Sequence, residues 1–191
     1  MEKVLIQFLS QLKELTKNQI KELASLSTVS EVKKNTVIVA HGQLCNRCFF
    51  VLKGGLRQFI LKGGIEKTIA FYAEEQAVTF ISEQTSQKPS DSVLVSLEDS
   101  VLLVGDLGKD QDLFMKFPIL VDITRKMIEA DLGKTQDSFA KFIASSPEER
   151  YLNFMKEKKD LLNRVPQHMI ASYLGMTPVS LSRIRKRAVL K

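Results

Sequence analysis

At 191 residues, with 44% hydrophobic and 26% charged residues, the chain is long enough for one large domain or two small ones. These proportions, the lack of an apolar run of membrane-spanning length and the presence of only two cysteines argue against a membrane protein and against a disulfide-stapled secreted scaffold. The net charge of +6 is local: the residues before Pro147 hold 18 basic and 18 acidic side chains, those from Pro147 on hold 10 and 4, and a polyanionic partner is therefore expected at that end.

No internal repeat or low-complexity tract interrupts the chain. The first segment, "VLIQFLSQL", is apolar but broken by Gln7, Ser10 and Gln11 and is followed by no small-residue cleavage site, so a cytoplasmic protein without a signal peptide is expected. "TKNQIKELASL" offers Thr16 as an N-cap with Gln19 three residues on, a capping box that predicts a short helix carrying Ile20, Leu23 and Leu26 inward. Short β-rich runs follow: "NTVIVAHG", "CFFVLKGGLRQFIL", "EKTIAFY" and "SVLVSLEDSVLLVGD". The turn signals "KKN", "KGG" and "LEDS" punctuate them, and regularly spaced short strands predict an antiparallel barrel or sandwich.

From Leu113 to Ile143 the texture becomes helical. Phe117, Leu120, Val121, Thr124, Ile128 and Leu132 form one apolar stripe, and Ile119, Ile123 and Met127 a second. Two apolar faces need two partners, found either within the chain or with one face on a twin subunit. Ser146, Pro147 and Glu149 then predict a second capping box and a helix carrying Tyr151, Leu152, Met155, Leu161 and Leu162.

The stretch "MIASYLGMTPVSLSRIRKR" reads as a helix-turn-helix. Ile170, Ala171 and Leu174 are core positions of a first short helix, with Ala171 small because the second helix crosses closely there. Gly175 ends that helix in the left-handed conformation, and Pro178 suits the first turn of a second helix with Leu181 and Ile184 inward. Thr177, Pro178, Val179, Ser180, Ser182, Arg183, Arg185 and Lys186 are left for outward or flanking faces. From Val165 to Lys191 there is no Asp or Glu, so nothing there repels a phosphate backbone, and this short, hydroxylated, basic face is the candidate surface for double-stranded DNA.

With these motifs the chain resembles the Crp/Fnr (cyclic-AMP receptor protein) family of bacterial transcription regulators, in the compact form common among Bacteroidetes. "FFVLKGGLRQFIL" resembles the family's barrel motif, the long helix its dimerisation helix, and "IASYLGMTPVSLSRIRK" its reading head. The resemblance implies an α+β protein: an N-terminal antiparallel β-roll, a jelly roll like that of cyclic-nucleotide-binding domains, over residues 1–110; a dimerisation helix over 111–145; and a helix-turn-helix domain over 146–191. It further implies a homodimer on a pseudo-palindromic operator, with RNA polymerase as a further partner. Pro178 and Val179 stand where many relatives carry base-reading Arg and Glu, so an unusual operator is expected, while Thr177, Ser180 and Arg183 match.

Cyclic-nucleotide binders of the family hold the phosphate with a Gly-Glu segment and a following arginine. The matching stretch here, "AEEQAVTFISEQTSQKPSDSV", has neither glycine nor arginine, and Glu74, Glu75 and Glu83 would oppose a phosphate. Cyclic AMP is therefore not expected in the family manner and no cofactor is assigned; Ser82, Glu83, Thr85, Ser90 and Ser92 are the candidate lining of a pocket for another small effector. "HGQLCNRC" gathers His41, Cys45 and Cys48, but a single CxxC lacks further ligands, so packing is expected and no metal site is assigned. No glycine-rich nucleotide loop, catalytic triad spacing or paired carboxylates indicate an enzyme. The rival reading is a small-molecule or redox sensor module whose terminal helices contact a protein.

Overall fold

A computed structural model describes residues 2–81, 89–106 and 109–189. The chain divides into two compact units, Met1–Ile119 and Leu120–Lys191.

The first unit opens with α1 (Glu2–Leu9) and α2 (Lys17–Leu26). The sequence reading assigned no helix to the first segment, although Leu5, Phe8, Leu9 and Leu12 stand at helical spacing; folded, Leu5 and Leu9 are buried. The α2 cap forms as its spacing requires. Thr16 N–H donates to Gln19 Oε1 at 2.9 Å, and Gln19 N–H donates to Thr16 Oγ1 at 3.4 Å.

Eight strands follow: β1 (Thr28–Val32), β2 (Val37–Val39), β3 (Asn46–Lys53), β4 (Leu56–Lys62), β5 (Ile65–Tyr72), β6 (Ala77–Ile81), β7 (Ser92–Ser96) and β8 (Ser100–Asp106). They form two antiparallel four-stranded sheets, ordered β1-β8-β3-β6 and β2-β7-β4-β5. Successive strands mostly alternate between the sheets, which is the jelly-roll path, and the barrel-or-sandwich alternative resolves as two facing sheets rather than a closed barrel. Phe49, Val51, Val78, Phe80 and Leu102 of one sheet and Val39, Leu56 and Leu94 of the other share one core. Phe50, between two core residues of β3, points the other way and meets Phe8 of α1 with ring centroids 4.4 Å apart. A strand covered on both faces reads as a continuous apolar run, which explains "CFFVL".

The sequence reading did not include β1 or β6. Both are edge strands of the first sheet, short and weakly patterned, and propensity says little there. In the β4–β5 pairing a bulge makes the register skip Ile69. Arg57 of the resembled barrel motif is buried. Its Nε donates to Thr68 Oγ1 at 2.9 Å, Nη1 reaches the Glu66 carboxylate, and its guanidinium lies 4.6 Å from the Phe59 ring centroid, so this arginine is a structural tie.

The helical stretch expected from Leu113 to Ile143 is two helices, α3 (Gln111–Lys116) and α4 (Ile119–Ala144). The break has a local cause: Pro118 bars the preceding residue from helical geometry, and Phe117 sits at φ −125°, ψ 75°. The second unit contains α4 beyond its first residue, α5 (Pro147–Glu157), a 3-10 turn (Lys159–Leu161), α6 (Gln167–Tyr173) and α7 (Pro178–Val189). Ser146 caps α5 as predicted. Its N–H donates to Glu149 Oε2 at 2.8 Å, which holds the Glu149 carboxyl below the usual carboxylate range, and Glu149 N–H donates back to Ser146 Oγ at 3.4 Å.

Candidate nucleic-acid interface

The turn between α6 and α7 is fixed by backbone chemistry. Gly175 has φ +70°, Met176 N–H donates to the Ala171 carbonyl at 2.9 Å, and Gly175 N–H donates to the Ser172 carbonyl at 3.1 Å. This double closure satisfies two carbonyls that the end of α6 would otherwise leave orphaned. Ala171 is completely buried, as a close crossing demands, and Leu181 and Ile184 anchor α7 from its inner side.

Those anchors set what α7 presents. Pro178, Val179, Ser180, Ser182, Arg183 and Lys186 are exposed, and Arg185 is half-buried. Thr177, also exposed, serves the fold of the turn. Its Oγ1 accepts from Ser180 N–H at 3.1 Å, capping α7, and lies 3.0 Å from Ser180 Oγ, so the two hydroxyls are paired with each other. The exposed cationic face therefore centres on Arg183 and Lys186. Not every basic residue of this region joins it: burial pushes the Lys158 amine below its ordinary pKa.

The N-terminal unit brings part of the candidate effector site together. Ser82, Glu83 and Thr85 lie outside the described residues. Ser90 and Ser92 are joined: Ser90 Oγ donates to the Ser92 carbonyl at 2.8 Å and accepts from Ser92 N–H at 3.2 Å. Two residues that sequence reasoning missed complete the group. Tyr72 Oη donates to Gln58 Oε1 at 2.7 Å, and Gln58 Nε2 donates to Ser92 Oγ at 2.8 Å. Gln58 follows the core residue Leu56 by two and Ser92 precedes Leu94 by two, so strand alternation turns both inward. The result is a neutral hydrogen-bonded chain across three strands. Glu74, expected to oppose a phosphate, accepts from Gly54 N–H at 2.9 Å.

The cysteines pack. Cys45 belongs to the core, Cys48 Sγ accepts from Thr79 Oγ1 at 3.5 Å, neither is in a disulfide, and burial raises both thiol pKa values, which disfavours the reactive thiolate. His41 Nδ1 lies 3.3 Å from the Asp91 carbonyl. Among the described residues, no three His, Cys, Asp or Glu side chains are grouped to hold a metal ion, and no helix is long and apolar enough to cross a membrane.

No family model and no curated protein matches the chain. Solved structures do. FixK2 from Bradyrhizobium japonicum superposes with a TM-score of 0.68 at 16% identity, over 84% of this chain and 83% of that one. A CooA variant from Carboxydothermus hydrogenoformans gives 0.68 at 16%, over 87% and 78%. The c-di-GMP responsive global regulator CLP of Xanthomonas campestris gives 0.67 at 14%, over 92% of each chain. The chain has the Crp/Fnr fold. A Crp/Fnr fold is what the barrel motif, long helix and reading head implied together. At these identities it is the architecture that is shared.

Proposed function

We propose that this protein is a DNA-binding transcription regulator of the Crp/Fnr type, acting in the bacterial cytoplasm as a homodimer on a pseudo-palindromic operator, with RNA polymerase as its further partner and no catalytic role. The observation that carries the reading is the exposed face of α7, hydroxylated, cationic and free of acidic residues, held outward by Leu181 and Ile184. The working division is a β-roll sensor over 1–110, a dimerisation helix over 111–145 and a DNA-binding domain over 146–191. Selection from random duplex DNA tests it: an enriched site with two related half-sites about one helical turn apart is expected, with affinity falling steeply as salt rises. No enriched site, together with salt-insensitive capture of a protein partner, would overturn the reading.

Arg183→Ala is expected to weaken the enriched site by about 1–3 kcal/mol, roughly fivefold to 150-fold, the worth of a bidentate arginine contact to a base. Because Arg183 is exposed, thermal unfolding should not move. Unchanged affinity in a gel-shift titration would remove Arg183 from the interface.

The sensor reading follows from charge. Ser90, Ser92, Gln58 and Tyr72 are neutral, and a buried cyclic phosphate without a paired cation leaves a charge that costs several kcal/mol. Lys88, outside the described residues, is the only basic residue between Lys67 and Lys109. Cyclic AMP at millimolar concentration is therefore expected to leave the melting temperature where AMP leaves it. A concentration-dependent rise specific to cyclic AMP would contradict this, because any ligand of the native state alone stabilises it by mass action.

A further inference from the structure

Arg150, in the first turns of α5, sits where two other helices end. Its Nε donates to the Phe142 carbonyl at 3.0 Å, its Nη1 donates to the Leu174 carbonyl at 3.4 Å, and its guanidinium carbon lies 4.0 Å from the Phe142 ring centroid. Phe142 is in the last turn of α4, where carbonyls have no partner within the helix, and Leu174 closes α6 at the head of the helix-turn-helix turn. Both carbonyls are at the negative ends of helix dipoles, so one cation neutralises two helix ends.

The geometry calls for an arginine. Two N–H groups diverge from one plane toward two carbonyls while the face of that plane stacks on a ring, and a lysine ammonium offers neither the fork nor the face. The guanidinium passes directly beside the turn: a Cβ on Gly175 would lie in van der Waals contact with it, 3.4 Å from Arg150 Nη1 and 3.7 Å from Phe142 Cζ. Lys141 to Glu157, at 3.1 Å, also ties α4 to α5, but it does not reach the reading head. Among the hydrogen bonds of the described residues, Arg150 joins the end of α4 directly to the turn ahead of α7.

We propose that Arg150 is the positioning residue that sets the angle of each reading head on the end of the long helix, and thereby the half-site spacing the dimer accepts. The assignment rests on the dimeric DNA-binding reading above. If α4 supplies the dimer axis, a head held rigidly to its last turn reaches the second half-site at one separation only, whereas a loosened head tolerates several.

The test uses the full-length protein, the enriched operator, versions with the half-sites moved apart or together one base pair at a time, and an isolated half-site. Wild type should favour one spacing sharply. Arg150→Lys should keep its dimer mass and its half-site affinity to within about twofold, as expected for a site distant from the DNA contacts, and should stay folded with a melting temperature lowered by only a few degrees. Its preference for the best spacing should fall about tenfold, the loss expected for a charge-assisted hydrogen bond. A spacing preference equal to wild type would overturn the proposal, as would a parallel loss of half-site affinity, which would mark Arg150 as a support of the head's own fold. Should Arg150→Lys fail to fold, Phe142→Leu removes the stacked ring while keeping the carbonyl, and should flatten the spacing profile in the same direction; an unaltered profile there overturns the proposal too. Wild type that enriches no site, or that binds every spacing alike, fails at the earlier step and defeats the dimeric DNA-binding reading itself.

Discussion

Ile128→Glu is expected to convert the protein to a monomer and to cost full-site DNA binding on the order of a hundredfold or more, the avidity lost when two heads no longer engage together. Ile128 is 60% exposed, Leu132 56%, Phe139 66% and Ile143 64%, and Val121 extends the row. The spacings alternate between seven and four residues, an eleven-residue repeat close to the helix's own period, which keeps these side chains on one face of α4. Of the second stripe read from the sequence, Ile123 is buried, Ile119 half-buried and Met127 exposed, while the start of the first stripe, Phe117 and Leu120, is buried and half-buried. A contiguous exposed row of this kind is expected to be covered by another protein surface, and a second α4 has a complementary one. A glutamate at its middle would place two like charges near the dyad without counter-ions, a cost of several kcal/mol. Light scattering should give the mass of one chain, with isolated half-site binding retained. A dimer that persists with full operator affinity would place the contact elsewhere.

Gly54→Ala is expected to be the most damaging small substitution in the β-roll. Gly54 follows β3 at φ +97°, and a Cβ there would lie 2.8 Å from the Ser100 Cα and 2.2 Å from its Oγ. The obstacle is backbone that cannot swing away: Ser100 is buried and opens β8, and its Oγ accepts from Gly55 N–H at 3.2 Å. Left-handed strain of roughly 1–2 kcal/mol adds to an overpacking cost of roughly 1–3 kcal/mol. For a chain of this size that lowers the melting temperature by about 10 °C. Gly64→Ala is the control, since Gly64 also has positive φ, +76°, but has nothing within 4 Å of a new Cβ. Its melt should fall by only a few degrees, from the strain alone. Equal melts for the two variants would show that Ser100 yields.

What the sequence revealed about this fold was what hydrogen bonding fixes locally. Thr16 with Gln19, Ser146 with Glu149, and the run from Ala171 through Gly175 to Leu181 and Ile184 are closed within a few residues, so spacing alone exposes them. The break at Pro118 was equally local, but the apolar stripe runs across it and hides it. What stayed hidden depends on register and tertiary approach. Gln58 and Tyr72 lie fourteen residues apart and meet through the β4–β5 pairing, and Arg150 meets Leu174 across twenty-four. No period in the sequence marks an isolated polar residue whose partner is set by a neighbouring strand or helix.

The skipped residue in the β4–β5 ladder bears on how the protein survives crowding. β5 is eight residues long and forms the outer edge of its sheet, with Ile65 and Ile69 exposed. A straight apolar edge of that length is a template on which a strand from another molecule can add, the first step toward fibrous aggregates. The bulge at Ile69 twists the edge out of register with an incoming strand, while exposed Glu66 and Lys67 place charges that such a strand would have to desolvate. Restoring a regular ladder by deleting Ile69, together with Lys67→Val, would remove two of these obstacles at once and open the rim to self-assembly, while Glu66 stays as the partner of buried Arg57.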